Sequence, residues 1–302
     1  MPWQPVKDKR AGVVAYRTRQ RYNPGAYRMP HDTLLAAKTM NLSSTSITVN
    51  GKQLEALWHG PSPERAPTLV FLHEGLGCVA MWRDFPARLA AAVGCSAFVF
   101  SRLGYGGSGP CELPRPLDFM HEEGLNVMPA VIAAAGIGDH IVIGHSDGGS
   151  IGIVYAGGTP APGLKGLITE AAHVFCEAIS VASIERARDA YVNGDLRPRL
   201  AKYHGANTDG AFWGWNGVWL HPEFIHWNLE PFLPGIRVPL LAIQGENDPY
   251  GTVAQLDAIA RKDGAGAQRV LLSDCAHCPH HERPAATFAR MKAFILKILQ
   301  KK

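Results

Sequence analysis

The segment Ile141-Val142-Ile143-Gly144-His145-Ser146-Asp147-Gly148-Gly149 sets a serine between two glycines, after a short apolar run and before a stretch that reads as helix. A serine on so sharp a strand-to-helix turn projects its hydroxyl above the strand. Side chains two positions before and after it would collide with the turn, which explains glycine at 144 and 148. The following helix points its N-terminus at the hydroxyl, where the dipole favours developing negative charge. A phosphate-binding turn is the plainer alternative, but the P-loop lysine and the G-x-G-x-x-G spacing are absent. The chemistry implied is attack by the Ser146 oxygen on a carbonyl.

A serine needs a histidine to take its proton and a carboxylate to hold that histidine's tautomer. The histidine that best fits lies just past an apolar run, in Leu272-Ser273-Asp274-Cys275-Ala276-His277. His280 and His281 compete with it, and His145 reads as a packing residue. The carboxylate that best fits is Asp248, in the turn after Leu240–Ile243, with Glu246 and Glu170 as rivals. The oxyanion formed on attack needs two donors. The N–H of Asp147 is one, and the loop His73-Glu74-Gly75-Leu76-Gly77 supplies the other through Gly75 or, alternatively, Leu76. Glu74, Leu76 and the tryptophans Trp213, Trp215 and Trp219 are expected to touch substrate. Cys275, His277, Cys278, His280 and His281 are zinc-type ligands, but their spacing is crowded and no matching second pair exists. No metal and no cofactor is expected.

The elements that must position these groups follow from periodicity. Ser46–Val49 and Leu54–Trp58 read as strands joined by the hairpin turn Asn50-Gly51. Leu69–Leu72, Ala97–Phe100, Ile141–Ile143, Leu167–Thr169, Leu240–Ile243 and Arg269–Leu272 read as strands buried on both faces. Helices are expected over Ala80–Ala92, Leu117–Ala135, Ser150–Tyr155, Thr252–Arg261 and Pro284–Leu299. The alternation predicts an α/β fold, a mainly parallel sheet flanked by helices with an antiparallel edge. Residues 173–237 break the rhythm. They contain the helical run Ile179–Val192 and then Phe212, Trp213, Trp215, Trp219, Phe224 and Trp227. They read as a helical lid, or more plainly as helices whose tryptophans only pack on the core.

The chain has 302 residues and a formal net charge of +4. That balance carries no nucleic-acid signature. No long apolar run marks a leader or a membrane span. The six scattered cysteines suit reduced thiols in a cytoplasmic enzyme. The basic first forty residues read as a solvated extension. The partner expected is a small-molecule substrate, with a homodimer possible.

The motifs Leu72-His73-Glu74-Gly75, Ser101-Arg102-Leu103-Gly104-Tyr105-Gly106-Gly107-Ser108, the Ser146 turn, the Gly245 to Asp248 turn and the His277 loop together resemble the α/β-hydrolase superfamily. The resemblance runs from about Val49 to the C-terminus. It is nearest to capped hydrolases of the enol-lactonase, meta-cleavage C–C hydrolase and proline iminopeptidase type. It implies the α/β-hydrolase fold, a sheet of about eight strands, with a core over 43–172 and 238–302, a helical cap over 173–237 and a basic extension over 1–42. Departures are Glu74 where glycine is usual, Asp147 where a hydrophobic residue is commoner, and Ser101 where aspartate often stands. Serine as nucleophile argues against aspartate-nucleophile relatives such as epoxide hydrolases. The expected activity is hydrolysis of a carboxylic ester or acyl thioester with an apolar acyl group. The alternatives are C–C bond or lactone hydrolysis on the same triad and, from another class, a ligand receptor that does not turn over.

Overall fold

The computed structural model describes residues 44–300 apart from 159, 263 and 265. The expected basic extension lies outside the described residues.

The elements follow in order: β1 (Ser44–Val49), β2 (Lys52–His59), β3 (Thr68–Leu72), α1 (Phe85–Val93), β4 (Ser96–Phe100), α2 (Phe119–Glu122), α3 (Met128–Ala134), β5 (His140–His145), α4 (Asp147–Gly158), β6 (Leu164–Glu170), α5 (Ala178–Asn193), α6 (Leu196–His204), α7 (Thr208–Trp219), β7 (Leu240–Gly245), α8 (Val253–Lys262), β8 (Ala267–Leu272), α9 (Pro279–Glu282) and α10 (Pro284–Leu299). The eight strands form one sheet in the order β1-β2-β4-β3-β5-β6-β7-β8. β2 pairs antiparallel with both β1 and β4, and the other pairs are parallel.

All eight strands lie where the sequence placed them, but β8, expected to be buried on both faces, is an edge strand that is largely exposed apart from Leu272, because it has a neighbour on one side only. The hairpin closes through Asn50 and Gly51, both at positive φ (49° and 74°), as its tight turn requires. In the central strands, alternate residues feed opposite cores. Leu69, Phe71, Ile141 and Ile143 pack on the face covered by α1 and α10, while Val70, Leu72 and Val142 pack with α3 and α4 on the other. Burial on both faces explains why these strands read as unbroken apolar runs.

The helices match with two changes. The single helix expected over Ala80–Ala92 is a 3₁₀ turn, Val79–Trp82, followed by α1. Pro86 sits in the first turn of α1, where its missing N–H costs nothing, and could not sit inside a continuous helix. The helix expected over Leu117–Ala135 contains a π-helical stretch, Glu123–Val127, just before Pro129. A proline there cannot donate to the preceding turn, and the wider turn accommodates that loss.

Chain direction along the sheet reverses at β3, which lies between β4 and β5. A parallel sheet opens a crevice at the carboxyl ends of its strands at such a switch point. The Glu74–Gly75 loop leaves β3 there, and Ser146 leaves β5. Between β6 and β7 the chain makes α5, α6 and α7, with only an isolated bridge, Phe175 to Asn228, outside the main sheet. No helix among the described residues is long and apolar enough to cross a membrane.

Candidate active site

Ser146 holds φ at +52°, a left-handed conformation that is rare for a residue with a side chain and that clusters at functional sites. Its N–H donates to the Glu170 carbonyl at 2.8 Å, and α4 begins at the next residue. The turn permits no side chain at its flanks. A Cβ on Gly144 would lie 2.2 Å from the Gly148 carbonyl oxygen, and one on Gly148 would lie 2.2 Å from that of Leu72. Both obstacles are backbone. Gly148→Ala is therefore expected to destabilise by at least about 3 kcal/mol. That corresponds to a melting-temperature loss of roughly 6–12 °C, read by thermal denaturation. An unchanged melting temperature would contradict the packing described.

His277 Nε2 lies 2.9 Å from Ser146 Oγ, and its Nδ1 lies 2.8 and 3.0 Å from the two oxygens of Asp248. Asp248 also accepts the Tyr250 N–H at 2.9 Å. Burial pushes the Asp248 carboxyl up, but the charge and hydrogen bond of His277 outweigh it and hold the group below its ordinary value. The carboxylate stays ionised and keeps the Nδ1 proton in place, leaving Nε2 free to accept from serine.

The rival residues are engaged elsewhere. Glu246 is exposed. Glu170 and His280 pair with each other, Nδ1 to Oε2 at 2.9 Å, and His281 Nε2 lies 3.1 Å from the Met81 carbonyl. Of the cysteine and histidine cluster, Cys278 and His280 come together with His145, with ligand atoms within 4.8 Å of one another. Cys275 and His277 stand outside that group.

The loop after β3 is shaped by donors that pull one carbonyl inward. His73 accepts the Arg102 N–H at Nε2, which leaves its Nδ1 to donate to the Glu74 carbonyl at 2.7 Å. Arg102 Nη2 donates to the same oxygen at 3.0 Å. A trans peptide points its C=O and N–H in opposite directions, so the Gly75 N–H faces away from this buried cluster. Neither it nor the Asp147 N–H donates to a protein acceptor among the described residues. Gly75 also allows Trp215 to close in, since a Cβ there would lie 2.3 Å from the indole.

Glu74 does not stand free beside the pocket. It faces His145 Nδ1 at 3.5 Å, and His145 Nε2 donates to the His277 carbonyl at 2.7 Å. Burial opposes charge on His145, but Glu74 outweighs it and raises the imidazole to about 9. Glu74 in turn is held well below the carboxylate range, its own burial overcome by His145. The packing residue expected from sequence is thus a cation that ties the β3 loop to the His277 loop. A pKa raised above the unfolded value of 6.5 gives stability that is complete below that pH and is lost as pH rises through about 9. The melting temperature is expected to fall by several degrees between pH 7 and 9.5, with His145→Gln showing a flatter profile. Parallel profiles would refute this.

The site opens into a cavity of about 100 Å³ whose wall includes Glu74, Leu76, Ile184, Trp215 and Trp219. Trp213 does not belong to that wall. It lies two residues before Trp215, on the opposite side of α7, and is 38% exposed. Trp215 and Trp219, four residues apart, share the inward face. Phe224 and Trp227 pack on Trp219 from behind. The wall also contains His173, Ser180 and Tyr250, which sequence reading missed. His173 could have been noticed, because it stands three residues past β6 on the same sheet edge. Burial lowers its imidazole to about 3, reinforced by His277, so it remains neutral.

The segment between β6 and β7 is bolted to the site from two sides. Ser180 and Ser183 of α5 donate to the carbonyls of Tyr250 and Pro249, just beyond Asp248. His204 of α6 accepts the Gly106 N–H at 3.0 Å and, with its other nitrogen, donates to the Leu76 carbonyl at 3.0 Å. The missing aspartate at Ser101 is supplied from β2. Glu55 accepts from the Ser101 hydroxyl at 2.6 Å and from the Gly107 N–H at 2.9 Å.

Residues 69–291 match the alpha/beta hydrolase family. The chain belongs to the alpha/beta hydrolase family. Its fold is similar to that of the enol-lactonase from Burkholderia xenovorans LB400, at 21% identity and a TM-score of 0.64 over 85% of this chain and 100% of that one. It is also similar to an esterase from Exiguobacterium antarcticum, at 16% identity and a TM-score of 0.66 over 84% and 99%. The proline iminopeptidase from Mycobacterium smegmatis shares 20% identity with a TM-score of 0.61 over 85% and 98%. No curated protein sequence matches the chain. As an alpha/beta hydrolase, the chain has its eight-stranded, mostly parallel sheet and its flanking helices in the family's arrangement.

Proposed function

We propose that this alpha/beta hydrolase is a serine hydrolase that cleaves a carboxylic ester or acyl thioester with a largely apolar acyl group. The observation that carries the reading is the unbroken relay from Ser146 Oγ through His277 to Asp248, at 2.9 and 2.8 Å. In this reading His277 takes the Ser146 proton as the oxygen attacks the carbonyl, and the N–H groups of Asp147 and Gly75 receive the oxyanion. Collapse of the tetrahedral adduct breaks the bond to the leaving alcohol or thiol, which takes the proton from His277. Water, deprotonated by the same imidazole, then splits the acyl-enzyme and releases the acid.

Residues 173–237 serve as the cap in this scheme. The apolar faces of Ile184, Trp215 and Trp219 exclude water and grip the acyl chain.

The test is mass spectrometry of the protein after a fluorophosphonate probe, followed by a panel of esters, thioesters, lactones and a vinylogous diketone. A single adduct on Ser146 and turnover of the esters or thioesters are expected. Preferred turnover of a lactone or the diketone would move the assignment to ring opening or C–C cleavage. Tight binding with no turnover would make the protein a receptor.

A further inference from the structure

Three side chains of metal-ligand type meet beside the triad. His145 immediately precedes Ser146, Cys278 immediately follows His277, and His280 comes from the start of α9. Each offers a ligand atom within 4.8 Å of the other two. None of the three belongs to the wall of the substrate cavity. His145 and His280 are buried, and Cys278 is partly exposed.

The hydrogen bonds around the cluster commit one nitrogen of each imidazole and leave the other. His145 Nε2 donates to the His277 carbonyl at 2.7 Å, and His280 Nδ1 donates to Glu170 Oε2 at 2.9 Å. Metal-binding histidines are held in this way, one nitrogen donating to a carbonyl or carboxylate while the other presents its lone pair. The nitrogens left are His145 Nδ1 and His280 Nε2. His145 Nδ1 is buried and makes no hydrogen bond, although Glu74 stands 3.5 Å away. His280 Nε2 lies 3.7 Å from Cys278 Sγ. A sulfur and a nitrogen on one tetrahedral zinc ion, at about 2.3 and 2.0–2.1 Å from it, stand about 3.6 Å apart.

The surrounding charge favours a cation. Glu74 faces His145, Glu170 pairs with His280, and Glu282 accepts the Cys278 N–H at 3.0 Å. Without metal, the charge that answers Glu74 is the proton on His145.

We propose that His145, Cys278 and His280 form a binding site for a zinc-type divalent ion, which clamps the Ser146 turn to the His277 loop. On binding, the ion replaces the Nδ1 proton of His145 and the thiol proton of Cys278, and both protons pass to solvent. The way in is past Cys278, the one partly exposed ligand. A zinc ion rests about 2.0–2.3 Å from its ligands, closer than a water molecule comes, so atoms shielded from water still reach it. One thiolate and two imidazoles suit zinc, whereas magnesium and calcium take oxygen ligands. The site stands whether or not Ser146 is a nucleophile.

The test uses the full chain, stripped with a chelator under reducing conditions and dialysed against Zn²⁺, Co²⁺ or Mg²⁺. Bound metal is measured by atomic emission. Wild type is expected to hold about one equivalent of zinc and no magnesium. Cobalt should give the visible bands of a tetrahedral site together with a thiolate-to-metal charge-transfer band. Cys278→Ala should abolish that band and weaken zinc binding at least about 100-fold, since losing a residue that only orients a ligand already costs roughly 10–100-fold. Zinc in large excess over its Kd should raise the melting temperature of wild type by several degrees and leave that of Cys278→Ala unchanged. The Cys278 thiol makes only weak sulfur contacts, so the chelated variant should melt with chelated wild type.

Failure of wild type to bind zinc overturns the proposal. So does zinc affinity unchanged in Cys278→Ala, which would place the ion elsewhere. A cobalt spectrum without the thiolate band overturns it as well, and that spectrum is read on wild type, so the result holds even where the variant folds poorly.

Discussion

Ser146→Ala is expected to lower kcat on a simple p-nitrophenyl ester by roughly 10⁶-fold and to abolish fluorophosphonate labelling. The size of the effect follows from the loss of covalent catalysis, because the alanine protein can form no acyl-enzyme and His277 is left with no proton to take. What remains is the contribution of the oxyanion donors and the pocket, on the order of 10³–10⁴ over water. Because Ser146 and His277 act as a unit, the double replacement with His277→Ala should cost little more than either alone. The folded protein should be unharmed, since alanine fits the turn as well as serine does. A Ser146→Ala protein that keeps most of its turnover, or a double variant whose losses multiply, would remove Ser146 and His277 from the chemistry.

Asp248→Asn should reduce kcat by about 10⁴-fold with little change in KM. Asp248 is buried at 6% exposure and holds the Nδ1 proton of His277 from 2.8 Å. An asparagine amide presents N–H to that nitrogen, which favours the tautomer with its proton on Nε2, facing Ser146. The base is then protonated on the wrong side. The hydrogen bond from the Tyr250 N–H can pass to the asparagine oxygen, so the loop should keep its shape and the melting temperature should change little. Fluorophosphonate labelling should slow in parallel with turnover, because both need the serine proton removed. A fall in KM-dependent binding alone, with kcat preserved, would make Asp248 a structural residue.

The central strands were readable because a doubly buried strand is an uninterrupted apolar run, and those runs lie in the middle of the sheet, whereas β8 was read as doubly buried and is an exposed edge strand. The serine turn was readable because two glycines around a serine, between a strand and a helix, answer a steric demand that the structure shows as backbone approaches of 2.2 Å. Asp248 and His277 were readable by position, each just past a strand that ends at the same edge. The break of the helix before Pro86 and the π turn before Pro129 were less legible, because a proline states what it forbids but not how the chain yields.

Sequence alone determined the elements, the glycine-flanked turn at Ser146 and the types of group beside it, since each of these is a local consequence of residue size, periodicity or proton chemistry. Only the tertiary structure decided how those groups are shared out. Glu170 pairs with His280 and not with His277, Glu74 is neutralised by His145, Trp213 faces outward while Trp219 reaches Asp147, and the segment before β7 is tied to Tyr250 and Leu76. These are contacts between residues distant in the chain, and the choice among several chemically equivalent partners is made by which loops meet at the sheet's edge. That is a property of packing, which no local pattern encodes.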